Sequence, residues 1–170
     1  MKNFFCLSSA LVLVACATTY NSLDGSEPHA TLRFEDGKAE KSVGFGTSLS
    51  HQYLIYENTN CDNPQMAADF SWGKGQTKDV RITPNKAVKI LSTLQGAGHK
   101  DQPGNIYAIA TNDCSMLLEF TPKEGKTYLI KGTGTASACD LKIHDGESGN
   151  SIADAQVSKV EIDGRFRCEN

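Results

Sequence analysis

The chain reads as an all-β protein, an antiparallel β-sandwich of about seven to nine strands stabilised by disulfides. Three observations lead there. Residues 114–120, 127–131 and 139–144 alternate apolar and polar side chains, the pattern of strands with one packed and one wet face. Turn residues separate runs of this kind at spacings of roughly 10 to 15 residues. No segment carries an apolar stripe of helical period long enough to make a packed helix.

In chain order, Lys2 precedes an apolar run over residues 4–15. A bilayer span needs roughly 20 residues, so this run is too short to cross. Its place at the extreme N-terminus and the small residue before Cys16 predict a signal peptide over 1–15. The four residues Leu13-Val14-Ala15-Cys16 resemble the lipobox of bacterial lipoproteins. That resemblance implies cleavage before Cys16, diacylation of its sulfur and acylation of its new amine. Several acyl chains anchor a protein stably to a membrane where one holds it only marginally. Ala17 stands where an inner-membrane retention signal would carry Asp, so the resemblance implies the bacterial outer membrane, with the domain in the periplasm or at the cell surface.

Loss of Lys2 leaves 16 Lys plus Arg against 20 Asp plus Glu. A mildly acidic surface without a basic block argues against a nucleic-acid partner. Residues 17–29 lack periodicity and hold Thr, Asn, Ser, Gly and Pro, which predicts a lipidated tether over 16–29. Residues 30–170 then form a single domain, enough chain to bury one core.

Within that domain, Ala30, Leu32 and Phe34 share one strand face, and Asp36-Gly37 ends the run. Strands are expected over 42–45 and 52–57, followed by a polar turn over 58–64 that contains Cys61. Residues 66–70, just after Pro64, are expected to make a single helical turn. Val80 and Ile82 share a face of 77–83, and Pro84-Asn85 turns the chain into 87–92. Residues 96–104, GAGHKDQPG, read as a loop before a strand over 105–111. After His144 a polar turn leads to a last strand over 156–163, with Val157, Val160 and Ile162 its apolar residues.

Two short stretches resemble known sandwiches. From Phe120 through Pro122 and Gly125 to Tyr128, the chain resembles the corner of immunoglobulin-like domains. The resemblance implies that the Tyr128 ring is buried and its hydroxyl bonds back to the preceding turn. Residues 143–157, with Asp145, Gly149, Ile152, Ala155 and Val157, resemble a signature of carboxypeptidase-regulatory and transthyretin-like sandwiches. There the signature usually opens the fold; here it closes it. It implies a sandwich and transfers no active site.

Cys61, Cys114, Cys139 and Cys168 remain once Cys6 is cleaved off and Cys16 lipidated. An even count in an exported chain implies disulfides, with three pairings open. Cys61–Cys114 with Cys139–Cys168 is the expectation, because the other pairings cross or nest. Zinc ligands come in short-spaced pairs, and these cysteines do not, so no metal is expected.

Other candidate chemistry is weak. His29, His51, His99 and His144 are scattered, and no metal, phosphate-loop or nucleophile-elbow motif accompanies them. Ser71-Trp72-Gly73-Lys74 spells S-x-x-K without its companion motifs. Gly96 and Gly98 precede no phosphate-binding helix. Asp145, Glu147 and Asn150 miss the spacing of a calcium loop, and Trp72 reads as a core residue. No cofactor is expected. The reading is a non-enzymatic binding or envelope-assembly module, attached to the membrane by lipid and partnered by an envelope protein or component. The alternatives are an envelope hydrolase, which needs a His joined to a nucleophile in a pocket, and a small-ligand carrier, which needs an enclosed cavity.

Overall fold

The computed structural model describes residues 18–36, 48–57, 61, 63–71, 75–97, 112–134 and 139–160. Among these, ten strands form: β1 (Thr18–Thr19), β2 (Ala30–Glu35), β3 (Ser48–Tyr56), β4 (Gln65–Ser71), β5 (Thr77–Ile82), β6 (Val88–Ala97), β7 (Asn112–Phe120), β8 (Thr127–Gly134), β9 (Cys139–Asp145) and β10 (Gln156–Val160). They build an all-β sandwich of two sheets, ordered β1-β4-β3-β6-β7-β10 and β5-β2-β8-β9. The expected strands over 42–45 and 105–111, most of the loop over 96–104, and Trp72, Lys74, His99, Cys16 and Cys168 lie outside the described residues. Gly96 and Ala97 belong to β6, so that loop starts later than expected.

Inward-facing residues of both sheets make one core. Leu32, Phe34, Tyr53, Ile55, Ile90, Leu118, Ile130 and Leu141 are all buried within it. The alternation read over 114–120 and 127–131 is realised, with Cys114, Leu118, Phe120, Tyr128 and Ile130 inside. The outer face of the four-stranded sheet is wet: Arg33 forks onto Asp79 across β2 and β5 at 2.7 and 2.8 Å, and Lys131 meets Glu35 at 3.2 Å. The outer face of the six-stranded sheet is not. Tyr56, Cys61 and Leu91 are buried there, with Leu54 and Val160 against them. In the described part of the last strand Val157 is exposed and only Val160 is partly buried; Ile162 lies outside the described residues.

Four expectations are corrected. Residues 66–70 are a strand, not a helical turn. Tyr53 pairs with Ala68 and Leu54 with Met66, so Ala67 and Ala68 together oppose one step of β3 in a β-bulge. Both alanines are buried, and that breaks the alternation by which the strand would have been read. The sheets are mixed rather than purely antiparallel, because β1 runs parallel to β4 and β2 to β8. The β2–β8 pair is joined by a crossover through the other sheet, the long connection that parallel neighbours require.

The third correction concerns the tether. Residues 18–29 are part of the folded domain: Thr18 and Thr19 pair with Gln65 and Met66, and the Tyr20 amide donates to the Met66 carbonyl at 2.9 Å. Tyr20 is buried, and its hydroxyl donates to Glu57 Oε1 at 2.6 Å. Further on, the Leu23 amide reaches the Arg81 carbonyl, and the Arg81 amide reaches Ser22 Oγ. A polar composition looks like a linker, yet its backbone groups are satisfied by the sheet edges.

The fourth is the cysteine pairing. Cys114 bonds Cys139, with Cα atoms 5.9 Å apart, so Cys61–Cys114 and Cys139–Cys168 do not form. β7 and β9 belong to opposite sheets, and the bridge clamps the sheets together. Proximity across the core, which chain separation does not report, decides the pairing. Cys61 is also disulfide-bonded.

Candidate functional site

The described polar residues converge at two places. The first lies between the sheets. His51 follows the inward parity of Tyr53 and Ile55 on β3, and Ser92 that of Ile90 and Leu94 on β6. The register pairs Tyr53 with Ser92, which sets the His51 ring beside Ser92, Nε2 to Oγ 2.7 Å. The His51 ring packs against Tyr53 with centroids 4.2 Å apart. Across the gap stands Gly132 on β8. A Cβ there would collide with the His51 ring, 2.6 Å from Nε2, so only glycine lets the ring lie against this backbone. The Gly132 amide donates to the Tyr53 hydroxyl at 2.8 Å, and that hydroxyl donates to the Glu35 carbonyl at 2.9 Å. Tyr53 thereby ties its own sheet to two strands of the other. Asp36, also buried, accepts from the Gly75 amide at 3.2 Å.

Burial sets the protonation of this cluster. It lowers the His51 pKa to about 4, so the imidazole is neutral at physiological pH. It raises the Tyr53 hydroxyl far above its ordinary value, against a smaller opposing effect of the Gly132 hydrogen bond. A neutral His 2.7 Å from a Ser hydroxyl has the separation of a base and its nucleophile. Here, however, His51 is 1% exposed and Ser92 4%, within the packed interior. At that burial Ser92 Oγ is not presented to a substrate carbonyl at the described surface. The pair satisfies buried polar atoms and locks the sheet spacing.

The second place is one pole of the sandwich, where β1, β2, β4, β6, β8 and β10 begin and β3, β5, β7 and β9 end. A shallow cleft of about 120 Å³ is lined there by Glu57, Ile82, Thr83, Lys86, Ala87 and Val88. Pockets that enclose drug-sized ligands start near roughly 300 Å³. Next to it, Tyr128 is buried against Phe120, ring centroids 5.0 Å apart, and its hydroxyl accepts from the Lys123 amide at 2.9 Å. That is the bond back to the preceding turn that an immunoglobulin-like corner makes. The Asn85 amide donates to the Pro122 carbonyl at 2.7 Å and joins the two turns of this pole.

The 143–157 segment has a plain physical role. Asp145 Oδ1 accepts from the Glu147 amide at 2.9 Å and the Ser148 amide at 2.8 Å. Gly149, at φ +71°, donates to the Asp145 carbonyl and closes the turn in a conformation that favours glycine. The Ser148 and Glu147 hydrogen bonds hold the Asp145 carboxyl below the usual range. Lys126 Nζ lies 2.8 Å from Glu147 and 3.8 Å from Asp145, so an ammonium sits where a calcium ion would need those oxygens. Among the described residues no group of three or more His, Cys, Asp or Glu converges as a metal site.

Ser71 ends β4, and the rest of its S-x-x-K tetrapeptide is outside the described residues. His29 Nδ1 lies 2.7 Å from the Glu27 carbonyl near the surface, and His144 is on β9, so the structure does not bring His29, His51 and His144 together. Reading the third strand from residue 52 left His51 out. Its parity with Tyr53 and Ile55 was the signal that places it inside. Compared with known proteins, the chain matches no protein-family model and no curated protein.

Proposed function

We propose that this protein is a bacterial outer-membrane lipoprotein, anchored through Cys16, whose disulfide-bonded sandwich acts as a non-enzymatic binding or envelope-assembly module. The partner is a protein or other component of the envelope. The observation that carries the reading is the coincidence of the LVAC tetrapeptide at 13–16 with the Cys114–Cys139 bridge. The tetrapeptide resembles the export and acylation signal of lipoproteins, and disulfides of this structural kind persist in oxidising compartments. The hydrolase alternative draws on the His51–Ser92 pair alone, and its burial weighs against it. Among the described residues the carrier alternative draws on a cleft of about 120 Å³, too small to enclose a drug-sized ligand.

The test is fractionation and capture. Cys16→Ser should move the protein from the membrane to the soluble fraction while leaving the domain folded. A variant that still pellets with membranes after a high-salt wash overturns the anchor. Capture from detergent-solubilised envelope with the tagged full-length protein should then recover a stoichiometric envelope partner. Turnover of ester or peptide substrates that is lost in Ser92→Ala would overturn the non-enzymatic half.

A further inference from the structure

We infer that the lipidated domain sits directly on the bilayer in a fixed orientation, with the pole that carries the 83–87, 121–126 and 146–155 turns toward the headgroups. The inference rests on acylation of Cys16, and it follows from where the fold begins.

Ala17 alone separates Cys16 from Thr18, the first residue of β1. Two residues of chain span at most roughly 7 Å. β1 is parallel to β4, with Thr18 opposite Gln65, the first residue of β4. The N-terminal end of β1 is therefore turned, like that of β4, toward this pole. Tyr20 then pins the segment, with its ring buried, its amide on Met66 and its hydroxyl on Glu57. The acyl chains are embedded, so a domain held this closely cannot swing as it would on a tether of a dozen free residues.

The lipid, rather than charge, holds the orientation. The pole presents exposed Lys86 and Lys123 to phosphate groups, but also exposed Glu27, Glu57 and Glu124. Attraction to anionic headgroups is correspondingly small, and the orientation should not change with salt. The opposite pole, where β2, β4, β6, β8 and β10 end, faces away. The ten residues of β6 alone place it roughly 30 Å farther out.

The experiment uses the full-length lipidated protein in nanodiscs containing a small fraction of headgroup-spin-labelled phospholipid, read by amide signal loss. Lys86 and Lys123 should lose intensity several-fold more than Thr77 and Thr133 at the other pole, at low and high salt alike. A Gly/Ser insert of about ten residues after Ala17 should remove most of the difference. Equal loss at both poles, or a difference that the insert leaves unchanged, overturns the orientation while the anchor stands. Failure of the wild type to enter nanodiscs, with Cys16→Ser behaving identically, overturns the anchor and the orientation together.

Discussion

Single atoms decide two measurable properties. The Tyr128 hydroxyl is the acceptor for the Lys123 amide, so Tyr128→Phe strands a donor at the foot of the 121–126 turn. The substitution should cost about 1–3 kcal/mol in denaturant melts compared at matched m-values. A loss below about 0.5 kcal/mol would mean that water replaces the phenol there. His51 gives a pH dependence whose sign follows from burial. Its folded pKa, about 4, lies below the ordinary 6.5. The unfolded chain therefore takes up a proton first as pH falls. The contribution is fully present above about pH 6.5, declines as pH drops, and is lost by about pH 4. The span corresponds to roughly 3 kcal/mol. His51→Gln should flatten that part of the stability profile, and an unchanged profile would show that other groups carry it.

At the scale of elements, the spacing of the sheets depends on one missing side chain. Gly132→Ala puts a methyl into the His51 ring and within 3.2 Å of Ser92 Oγ. Overpacking of this kind costs about 1–3 kcal/mol, and here it also displaces the amide that donates to Tyr53. Thermal melts of Gly132→Ala and of Gly132→Ala/His51→Ala should show the second change recovering part of the loss. Strictly additive losses would place the strain elsewhere. β4 shows how an element escapes recognition. Its bulge puts Ala67 and Ala68 on the same side, and two small residues without alternation resemble a helical turn until β3 supplies the partner. The same lesson applies to β1, whose two threonines favour extended backbone but are too short a run to read as a strand without the open edge that Gln65 and Met66 offer.

For the whole molecule, the bridges and the proposed anchor constrain each other. The Cys114–Cys139 bridge closes a segment of 25 residues, worth about 3 to 4 kcal/mol in the chain-entropy account. Cys61 is also bonded, and if Cys16 is acylated as proposed, Cys168 is the cysteine left for it in the mature chain. Alkylation of the denatured, unreduced mature protein should label nothing, and peptide mapping should recover a Cys61–Cys168 peptide. A Cys61–Cys16 peptide would be decisive the other way. A sulfur held in a disulfide cannot carry the thioether lipid, so the anchor and the orientation built on it would both fall.

Alternation along a strand is a local property, and it sufficed for the fold class, for the inward faces of β2, β7 and β8, and for the burial of Tyr128. The polar turns after Ile82 and Asp145 were equally legible, because Pro, Asn, Asp and Gly act through their own backbone preferences. What required the tertiary structure was everything that depends on a distant neighbour. Which cysteines meet is decided by two strands facing each other across the core. Whether residues 18–29 hang free or pack is decided by open sheet edges at β4 and β5. The polar pair of His51 and Ser92 exists because antiparallel register brings together residues 41 positions apart, with a glycine opposite them. Local propensity carries no record of such pairings; they arise only when the sheets close on each other.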